Sequence, residues 1–407
     1  MNARKTVLKA LLKAENGGYS TLVLNGLLKS GDEHSPYITA CFYGVLERKI
    51  TLDFILDKFL KKGINAVSDT VKNVLRIGLY EALYMDNVPL RAAVNEAVEL
   101  IKQTPEKNAA SLINAVLRKA SIYDKQNIAN KPDTIRFSAE DWIIKAVFDE
   151  VGEDKGRRFF ENSLLPPPVY VKVNTNKITA DKLAKLTEFE KTAVDGVLKA
   201  DRFAAAGKYY DEGFYHIQDI SAALCVMMAK PDKNDRILDV CAAPGGKSFT
   251  AAELAGGEAE IVSCDIWEQR VSLIKSGAER LGLKISAMVN DAGIYNENLG
   301  SFSLVLCDVP CSGIGIIRRK PEIKYKKAAE ADAIIEIQKK ILKTSAEYVA
   351  DGGRLLYSTC TLNRRENEDI VAEFLQNSGK FVLLDEKTFL PEDNGGDGFY
   401  AALLSKR

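Results

Sequence analysis

Apolar side chains recur at intervals of three and four residues through roughly the first 120 positions of the chain. This spacing gathers them on one face of a helix and so predicts a series of amphipathic helices. Pro89 and Pro105 lie in polar segments between successive stripes, where proline favours turns. The stripes are defined by Val7, Leu8, Leu11, Leu12, Val71, Val74, Leu75, Leu79, Val94, Val98, Ile101, Leu112, Ile113, Val116 and Leu117. We therefore predict an all-α domain over residues 1–125.

The pattern changes in the middle of the chain. A helical stretch around Trp142 is followed by three consecutive prolines (166–168), which exclude a helix at that point. Residues 169–175 alternate apolar and polar side chains as a half-buried strand does. We interpret residues 126–215 as a small α/β connector domain.

Short apolar runs separated by helical stretches dominate residues 216–407. Each run is too short for a helix and fits a strand that is buried on both faces. The five candidate strands are Arg236–Val240, Ile261–Cys264, Ala287–Val289, Ser303–Cys307 and Arg354–Ser358. Strands that alternate with helices predict a parallel, doubly wound sheet, whose ligands bind at the carboxyl ends of the strands. The predicted fold is multidomain, with an all-α part followed by α/β parts.

The composition is that of an ordinary folded protein. The 407 residues are 46% hydrophobic and 28% charged, with 56 basic and 56 acidic side chains. These values exclude disordered and low-complexity proteins. No apolar run approaches the roughly 18 residues of a membrane span, and the first residues lack the apolar core of a signal peptide. We expect a cytoplasmic protein with no membrane partner.

The zero net charge is a sum of unlike parts. Residues 1–125 carry 18 basic and 13 acidic side chains, a net of +5, whereas residues 126–215 and 216–407 carry −1 and −4. Within the acidic C-terminal part, residues 318–327 hold six basic side chains against one acidic side chain. Most such runs are simply solvated surface, but a basic loop that contains Tyr325 is also typical of a contact with nucleic-acid phosphates.

Cysteine and histidine residues are few and scattered. The seven cysteines include no C-x-x-C pair, and the two histidines are His34 and His216. A zinc site needs a cluster of such ligands, so no metal site is predicted. In a cytosolic protein we expect these cysteines to be buried or catalytic rather than disulfide-bonded.

A glycine-containing loop follows the first strand of the predicted sheet. Its sequence, Asp239-Val-Cys-Ala-Ala-Pro-Gly-Gly-Lys-Ser248, leads into a helix whose first N–H groups can face a ligand. A phosphate-binding loop would require glycine in place of Cys241, and the dinucleotide pattern G-x-G-x-x-G does not occur here. Asp265, nineteen residues beyond Gly246, has the spacing of an acidic residue that binds a ribose. An adenosine ligand without phosphates, such as S-adenosylmethionine, fits this combination, and an ordinary structural turn is the alternative.

Two cysteines follow the fourth and fifth predicted strands. Cys311 lies in Asp308-Val-Pro-Cys-Ser-Gly313, and Cys360 lies in Ser358-Thr-Cys-Thr361. The tips of neighbouring parallel strands face one crevice, where a thiolate would be a strong nucleophile. Either cysteine alone would more often be inert packing, but the pair beside Asp308 indicates covalent catalysis.

Together these segments resemble the RNA cytosine-C5 methyltransferases. The matching segments are 214–221, 239–248, 308–313, 358–361, 366–368 and 397–403. The helical third resembles the NusB-like domain, and that fusion is typical of bacterial members that act on small-subunit (16S) ribosomal RNA. The chain departs from the family before Trp142, where His-Pro is common and this sequence has Ala139 and Glu140.

The resemblance implies a Rossmann-like C-terminal domain that transfers a methyl group from S-adenosylmethionine to C5 of a cytosine. It makes Cys360 the nucleophile that adds to C6 and Cys311 the thiol that assists product release, although the residues alone do not rank the two thiols. Asp308 would bind the cytosine edge, and Lys247 would act electrostatically unless it is merely solvated. The implied cofactor-binding residues are Cys241, Ala242, Ala243, Pro244, Gly245, Gly246, Lys247, Asp265, Asp291 and Asp308. The implied RNA-binding residues are Arg318, Arg319, Lys320 and Lys324.

Two other functions are compatible with parts of the sequence. A P-loop hydrolase acting on RNA is disfavoured by Cys241, and a non-catalytic RNA-binding factor accounts for the helical domain but not for the intact cysteine motifs. For the methyltransferase we expect 16S ribosomal RNA, naked or partly assembled, as the partner. We also expect an unstacked target cytosine and a monomeric chain.

Overall fold

Two compact units make up the chain. The structure, a computed structural model, describes residues 3–28, 33–201, 204 and 207–407. The first unit comprises Met1–Lys145 and Arg319–Lys326, and the second comprises Ala146–Arg318 and Lys327–Arg407. The finer division of the sequence at residues 125 and 215 stays a prediction.

The first unit is helical, as its apolar stripes predict. Its helices are α1 (Ala3–Glu15), α2 (Ser20–Asn25), α3 (Ser35–Glu47), α4 (Lys49–Asp57), α5 (Asp69–Tyr84), α6 (Leu90–Lys102), α7 (Ala110–Ala120) and α8 (Asp133–Arg136). Val7, Leu75, Val94 and Ile113, which represent four of the stripes, are buried in one hydrophobic cluster. The periodicity of the sequence therefore predicted much of the core of this unit, whereas Leu112, also assigned to a stripe, is exposed.

Residues Arg319–Lys326 join the first unit although they are remote from it in sequence. A short 3₁₀ helix spans Pro321–Tyr325. The Ser20 hydroxyl donates a hydrogen bond to Glu322 over 2.8 Å, and the Tyr325 hydroxyl donates to the Leu46 carbonyl over 2.5 Å. These long-range bonds are formed by side chains that the sequence presents only as part of a basic run.

The smaller of two sheets in the second unit is antiparallel. Its strands are β1 (Val169–Val173), β2 (Glu190–Lys191), β3 (Val197–Ala200) and β4 (Tyr215–Ile217), in the order β2-β3-β1-β4. The strand predicted after the triple proline is β1. Helices α9 (Asp141–Val151), which begins in the first unit, α10 (Glu153–Ser163), α11 (Ala180–Thr187) and α12 (Lys208–Asp211) accompany this sheet in the sequence.

The larger sheet has seven strands and contains the predicted parallel core. Its strands are β5 (Arg236–Asp239), β6 (Glu260–Asp265), β7 (Ile285–Val289), β8 (Phe302–Asp308), β9 (Val349–Thr359), β10 (Phe381–Phe389) and β11 (Phe399–Lys406). The order is β10-β11-β9-β8-β5-β6-β7. The five neighbouring strands β9, β8, β5, β6 and β7 are parallel to one another. The five predicted strands are therefore confirmed, and β5 and β8 meet at the centre, where the strand order reverses.

Neighbouring side chains of the central strands pack on opposite faces of this sheet. Ile237 and Leu304 belong to one buried cluster, whereas Leu238 and Val305 belong to another. A sheet covered on both faces requires such continuous apolar strands. The helices of this part are α13 (Ile220–Met228), α14 (Gly246–Leu254), α15 (Glu268–Leu281), α16 (Ala328–Glu347), α17 (Glu368–Ser378) and α18 (Pro391–Asn394).

A C-terminal antiparallel hairpin extends the parallel sheet beyond what the sequence predicts. Strand β11 pairs antiparallel with both β9 and β10. Residues Phe399–Leu404 of β11 are all buried, whereas the middle of β10 is exposed. An apolar strand is thus enclosed, and a charged strand forms the edge, as edge strands commonly do.

Two features are absent from the residues that the structure describes. None of their helices is both long and apolar enough to cross a membrane. Nor do they contain a group of three or more His, Cys, Asp or Glu side chains that could hold a metal ion.

Candidate active site

The loop between β5 and α14 is shaped by its glycines. Gly245 has φ of +115°, and a Cβ atom there would lie 2.2 Å from the Phe249 ring. Only glycine fits this backbone and this space. The Ala243–Pro244 peptide is cis. The loop therefore turns sharply and brings residues 241–246 to the carboxyl end of the sheet, where the sequence predicts the cofactor.

A series of buried hydrogen bonds links this loop to the neighbouring strands. The Ser248 hydroxyl donates to Asp239 over 2.7 Å, and the Ser263 hydroxyl donates to Ser248 over 2.8 Å. Asp239 is fully buried, and this burial raises its pKa to about 7. Its second oxygen has no protein partner within the described residues.

The predicted ribose and adenine positions lie after the adjacent strands. Asp265 ends β6 and is 3% exposed, and its carboxylate accepts from the Trp267 amide over 3.2 Å. The Arg270 guanidinium lies 3.3 Å from Asp265 and donates to the Ala243 carbonyl over 2.8 Å, which ties Asp265 to the glycine loop. Asp291 is exposed two residues beyond β7, and its carboxylate accepts from the Gly293 amide.

These positions fit the adenosine ligand better than a phosphate. Three strand ends carry the glycine loop, a buried carboxylate and an exposed carboxylate in the order β5, β6, β7. Carboxylates accept hydrogen bonds from hydroxyl and amino groups but repel phosphates. The lysine that a phosphate loop would use, Lys247, is instead paired with Asp308. In a P-loop hydrolase this lysine would bind the phosphate, so its pairing with Asp308 argues against that alternative.

Cys311 and Cys360 meet at the ends of β8 and β9. Their sulfur atoms are 3.2 Å apart. The hydrogen bond with Cys360 and burial raise the pKa of Cys311 well above its usual range. The convergence expected from two strand tips is confirmed.

Asp308 and Lys247 form an ion pair beside the thiols. Lys247 Nζ donates to one Asp308 oxygen over 2.7 Å, and the Ser358 hydroxyl donates to the other over 2.8 Å. Burial would lower the pKa of Lys247, but the charges of Asp308 and Cys360 outweigh it and raise that pKa. The Lys247 side chain is 11% exposed, so the merely solvated lysine is excluded.

Glu366 fastens the two cysteine loops together, a role that the residues alone did not reveal. This fully buried carboxylate accepts from the Ser312 amide over 2.8 Å and from the Ser312 hydroxyl over 2.5 Å. Asn363 and Gln338 donate to it over 2.8 and 3.0 Å. Ser312 follows Cys311 directly, so Glu366 controls the position of that thiol. The resemblance of residues 366–368 to a segment of the family was the signal that could have pointed to it.

Two acidic residues near the Cys360 loop, Glu150 and Glu368, interact with each other. Asn367 receives a hydrogen bond from the Thr359 hydroxyl over 2.7 Å and donates to the Thr361 carbonyl and to Glu150. Burial and the charge of Glu368 raise the pKa of Glu150 to about 8. The residues on both sides of Cys360 are thus linked through Asn367 to a protonatable carboxyl group.

The four predicted RNA contacts occupy different environments. The Arg318 guanidinium donates to the Leu165 and Pro166 carbonyls over 3.0 and 2.6 Å, and Lys320 is exposed. Lys324 is fully buried. Its ammonium group donates to the Phe137 and Glu47 carbonyls over 3.2 and 3.4 Å.

The prediction that Lys324 binds a phosphate is therefore wrong. Its charge faces backbone carbonyl groups of the first unit rather than solvent, and burial lowers its pKa to about 8. A count of basic residues along the sequence does not distinguish such a lysine from an exposed neighbour such as Lys320.

Comparisons with known proteins agree with this arrangement. A family model described as 16S rRNA methyltransferase RsmB/F matches residues 226–405, and the NusB family matches residues 1–121. The probable ribosomal RNA small subunit methyltransferase B of Bacillus subtilis (strain 168) is 35% identical over 443 aligned positions, covering 100% of this chain and 99% of the relative. The ribosomal RNA small subunit methyltransferase B of Enterobacter sp. (strain 638) is 28% identical and covers 100% and 99%.

Solved structures share the fold at lower identity. The crystal structure of PH0851 has a TM-score of 0.82 at 22% identity and covers 100% of this chain and 99% of its own. The structure of NSun6 from Pyrococcus horikoshii with SFG has a TM-score of 0.60 at 18% identity, covering 66% and 98%. The full-length 35% identity, the two family models and the strand-end motifs lead to one conclusion: this chain belongs to the RsmB/F family of rRNA methyltransferases, with a NusB domain at its N-terminus.

Proposed function

We propose that this enzyme transfers a methyl group from S-adenosylmethionine to C5 of a specific cytosine in 16S ribosomal RNA, through a covalent bond between Cys360 and C6. The observation that carries the proposal is the pair of thiols, Cys311 and Cys360, 3.2 Å apart beside the Asp308–Lys247 ion pair. Methyl transfer to a nucleophilic base nitrogen needs no thiol, whereas C5 of cytosine must first be activated. Covalent addition divides that difficult step into easier ones.

In the first step the Cys360 thiolate adds to C6 of the cytosine, and N3 takes up a proton. Asp308 accepts a hydrogen bond from the protonated N3 edge, because its carboxylate is an acceptor fixed by Lys247 and Ser358. The Lys247 ammonium group offsets the negative charge that Asp308 and the thiolate bring into a buried site. These residues thus favour the adduct, whose C5 is electron-rich.

When bound, S-adenosylmethionine would supply an electrophilic methyl group for transfer to C5 of the adduct. Loss of the C5 proton to a base, cleavage of the bond between Cys360 and C6 and return of the N3 proton to solvent then restore the aromatic ring. Cys311, whose pKa is raised by its hydrogen bond with Cys360 and by burial, assists this release by protonating the departing Cys360 sulfur across the 3.2 Å contact.

Residues 241–247, Asp265, Asp291 and Asp308 would hold the cofactor. The glycine loop would contact its methionine and sugar, Asp265 would bind the ribose hydroxyls and Asp291 would bind the adenine amino group. Arg270 positions this set, since it contacts both Asp265 and the loop carbonyl of Ala243.

We assign the RNA contacts to Arg318, Arg319 and Lys320, which follow Cys311 closely in the sequence. The basic residues of the NusB-like domain (1–125) add a second contact, and residues 126–215 and 216–407 act as connector and catalytic domain. The substrate in this proposal is naked or partly assembled RNA, and the enzyme acts as a monomer.

Methyl transfer to naked 16S ribosomal RNA, followed by mapping of the modified base, tests the proposal. We expect Cys360→Ala to abolish transfer because the nucleophile is lost. Cys311→Ala should instead accumulate an RNA–protein adduct that survives denaturing electrophoresis, because release is slowed while addition continues.

The control is Cys41→Ala, which removes a buried thiol of the helical unit. It should methylate RNA as the unchanged enzyme does and form no lasting adduct. If Cys311→Ala abolished transfer and Cys360→Ala trapped the adduct, the assigned roles would be reversed. A methyl group on any atom other than C5 would refute the proposal.

A further inference from the structure

The two active-site thiols are close enough to react with each other. Cys311 Sγ and Cys360 Sγ are 3.2 Å apart, and a disulfide bond is about 2.05 Å long. The sulfur atoms therefore need to approach each other by about 1.1 Å. We propose that Cys311 and Cys360 are a modification site, at which peroxide forms a reversible disulfide that inactivates the enzyme.

The backbone around the pair holds the sulfurs in place for this reaction. The Gly315 amide donates to the Cys360 carbonyl over 3.0 Å, and the Ser312 and Thr361 hydroxyls are 2.7 Å apart. Glu366 adds its bonds to Ser312. The residues that follow one cysteine are thus bonded to the loop of the other, and the disulfide requires no loop to open.

The reaction balances with hydrogen peroxide as the oxidant. The Cys360 thiolate attacks one peroxide oxygen, so that an S–O bond forms, the O–O bond breaks and hydroxide leaves and is protonated to water. Cys311 Sγ then attacks the oxidised sulfur. The S–S bond forms, the S–O bond breaks, and the departing oxygen takes the Cys311 proton and leaves as a second water. Two thiols are oxidised while one peroxide is reduced.

The surroundings favour this pair over the other thiols. Lys247 provides a buried cation near the pair, held by Asp308, and a nearby cation favours the thiolate form of a cysteine. Cys311 and Cys360 are half-buried and can be reached by a small oxidant. Four of the remaining cysteines are fully enclosed, namely Cys41, Cys225, Cys264 and Cys307. Cys241 is half-buried, but burial raises its pKa and keeps it protonated.

The disulfide itself depends only on this geometry, whereas its effect on activity rests on the proposed function. If Cys360 is the nucleophile and Cys311 the release thiol, one bond removes both at once. The bond also protects Cys360 from irreversible oxidation to the sulfinic acid, because Cys311 consumes the first oxidised form. A dithiol reductant then restores the active enzyme.

Peroxide treatment of the full-length protein, without RNA or S-adenosylmethionine, tests the inference. After free thiols are alkylated and the protein is digested, we expect a peptide pair linked through Cys311 and Cys360. Alkylation should fall from seven thiols to five, and dithiothreitol should restore all seven. Methyl transfer, measured in parallel, should be lost and then recovered.

Cys311→Ser provides the decisive contrast, since it removes the partner and leaves Cys360 in place. Peroxide should oxidise its Cys360 to sulfinic acid, which dithiothreitol does not reverse. Cys41→Ala, the matched control, should form the same linked pair as the unchanged protein. The inference is overturned if the unchanged protein yields sulfinic acid at Cys360 without the linked peptides, or links other cysteines.

These readouts separate the two proposals. The linked peptides are detected by mass and need no substrate. Formation of the disulfide can therefore be tested even in a protein without methyltransferase activity. Retained methyl transfer by Cys360→Ala would refute the proposed mechanism. It would not affect the inference that Cys311 and Cys360 form a disulfide in the unchanged protein.

Discussion

Glu366 places a negative charge where water does not reach. A buried carboxylate is unfavourable unless hydrogen bonds replace its hydration. Here donors from Ser312, Gln338 and Asn363 supply them. The same bonds fix the loop that carries Cys311, so the residue stabilises the fold and positions a thiol at once.

Replacement of Glu366 by glutamine should separate this role from cofactor binding. The new amide group would face donors that need an acceptor, at a cost of about 1–3 kcal/mol in the free energy of unfolding. Displacement of Cys311 should lower kcat by a factor of the order of 100. The dissociation constant for S-adenosylmethionine, measured by calorimetry, should stay unchanged.

Glu373→Gln is the matched control, because Glu373 lies on the exposed face of α17, where it pairs with Lys339. It should leave kcat and the cofactor affinity unchanged. An unaltered kcat in Glu366→Gln, with the protein folded, would remove Glu366 from the list of positioning residues.

At the scale of elements, α9, α17 and β10 meet around two carboxyl groups. Glu150 of α9 accepts from Asn367 and from Thr388 of β10, and Glu368 begins α17. The charged groups nearest this pair also include Arg364 and Glu386. Two ionised carboxylates in so enclosed a position repel each other, so the junction is most stable when one of them is protonated.

This junction should weaken as the pH rises. Burial and the charge of Glu368 raise the pKa of folded Glu150 to about 8. A raised carboxyl pKa contributes stability that is complete below the ordinary pKa and is lost as the pH increases through about 8. Urea unfolding at pH 6 and pH 9 should show a smaller decrease in stability for Glu150→Gln than for the unchanged protein.

Asp149→Asn alters an exposed acid next to Glu150 on the same helix. This control should lose as much stability between pH 6 and pH 9 as the unchanged protein does. Equal losses in all three proteins would contradict the assignment of the titration to Glu150.

At the scale of the whole molecule, neutrality conceals an uneven distribution of charge. The N-terminal 125 residues carry a net of +5, and the acidic C-terminal part contains one basic run. Binding to RNA through a few phosphates gives an affinity that falls only modestly with salt. Selectivity must then come from RNA shape and from the base in the active site.

Substitution of two lysines in the basic run should affect different properties, RNA binding for Lys320 and stability for Lys324. Lys320→Ala removes an exposed charge and should reduce the slope of log affinity against log salt by about 0.7–0.9. Lys324→Met should leave that slope unchanged but lower the free energy of unfolding by about 1–3 kcal/mol, since two backbone carbonyls lose a donor. Filter binding of 16S RNA at several salt concentrations and urea unfolding would measure both.

Each lysine is the control for the other, because they lie four positions apart in one segment. A reduced salt slope in Lys324→Met would mean that this lysine reaches the RNA after all. An unchanged slope in Lys320→Ala would place the phosphate contacts elsewhere.

Predictability differs among the parts of this protein. The helices of the first unit and the five parallel strands follow from periodicity, because a buried face imposes a repeat that the sequence must show. The hairpin of β10 and β11 was missed because its location depends on which strand edge is left open. Its inner strand, Phe399–Lys406, pairs with β9, more than forty positions earlier.

The sequence by itself predicted the helices of the first unit, the five parallel strands and the residues proposed to carry the chemistry, since these predictions depend on local patterns and residue types. The predicted topology of the parallel sheet already placed Cys311, Cys360 and Asp308 at neighbouring strand ends. Only the tertiary structure decided the 3.2 Å between the thiols, the pairing of Lys247 with Asp308 and the burial of Lys324. Those features depend on contacts between residues about 50 to 280 positions apart, which no local pattern encodes.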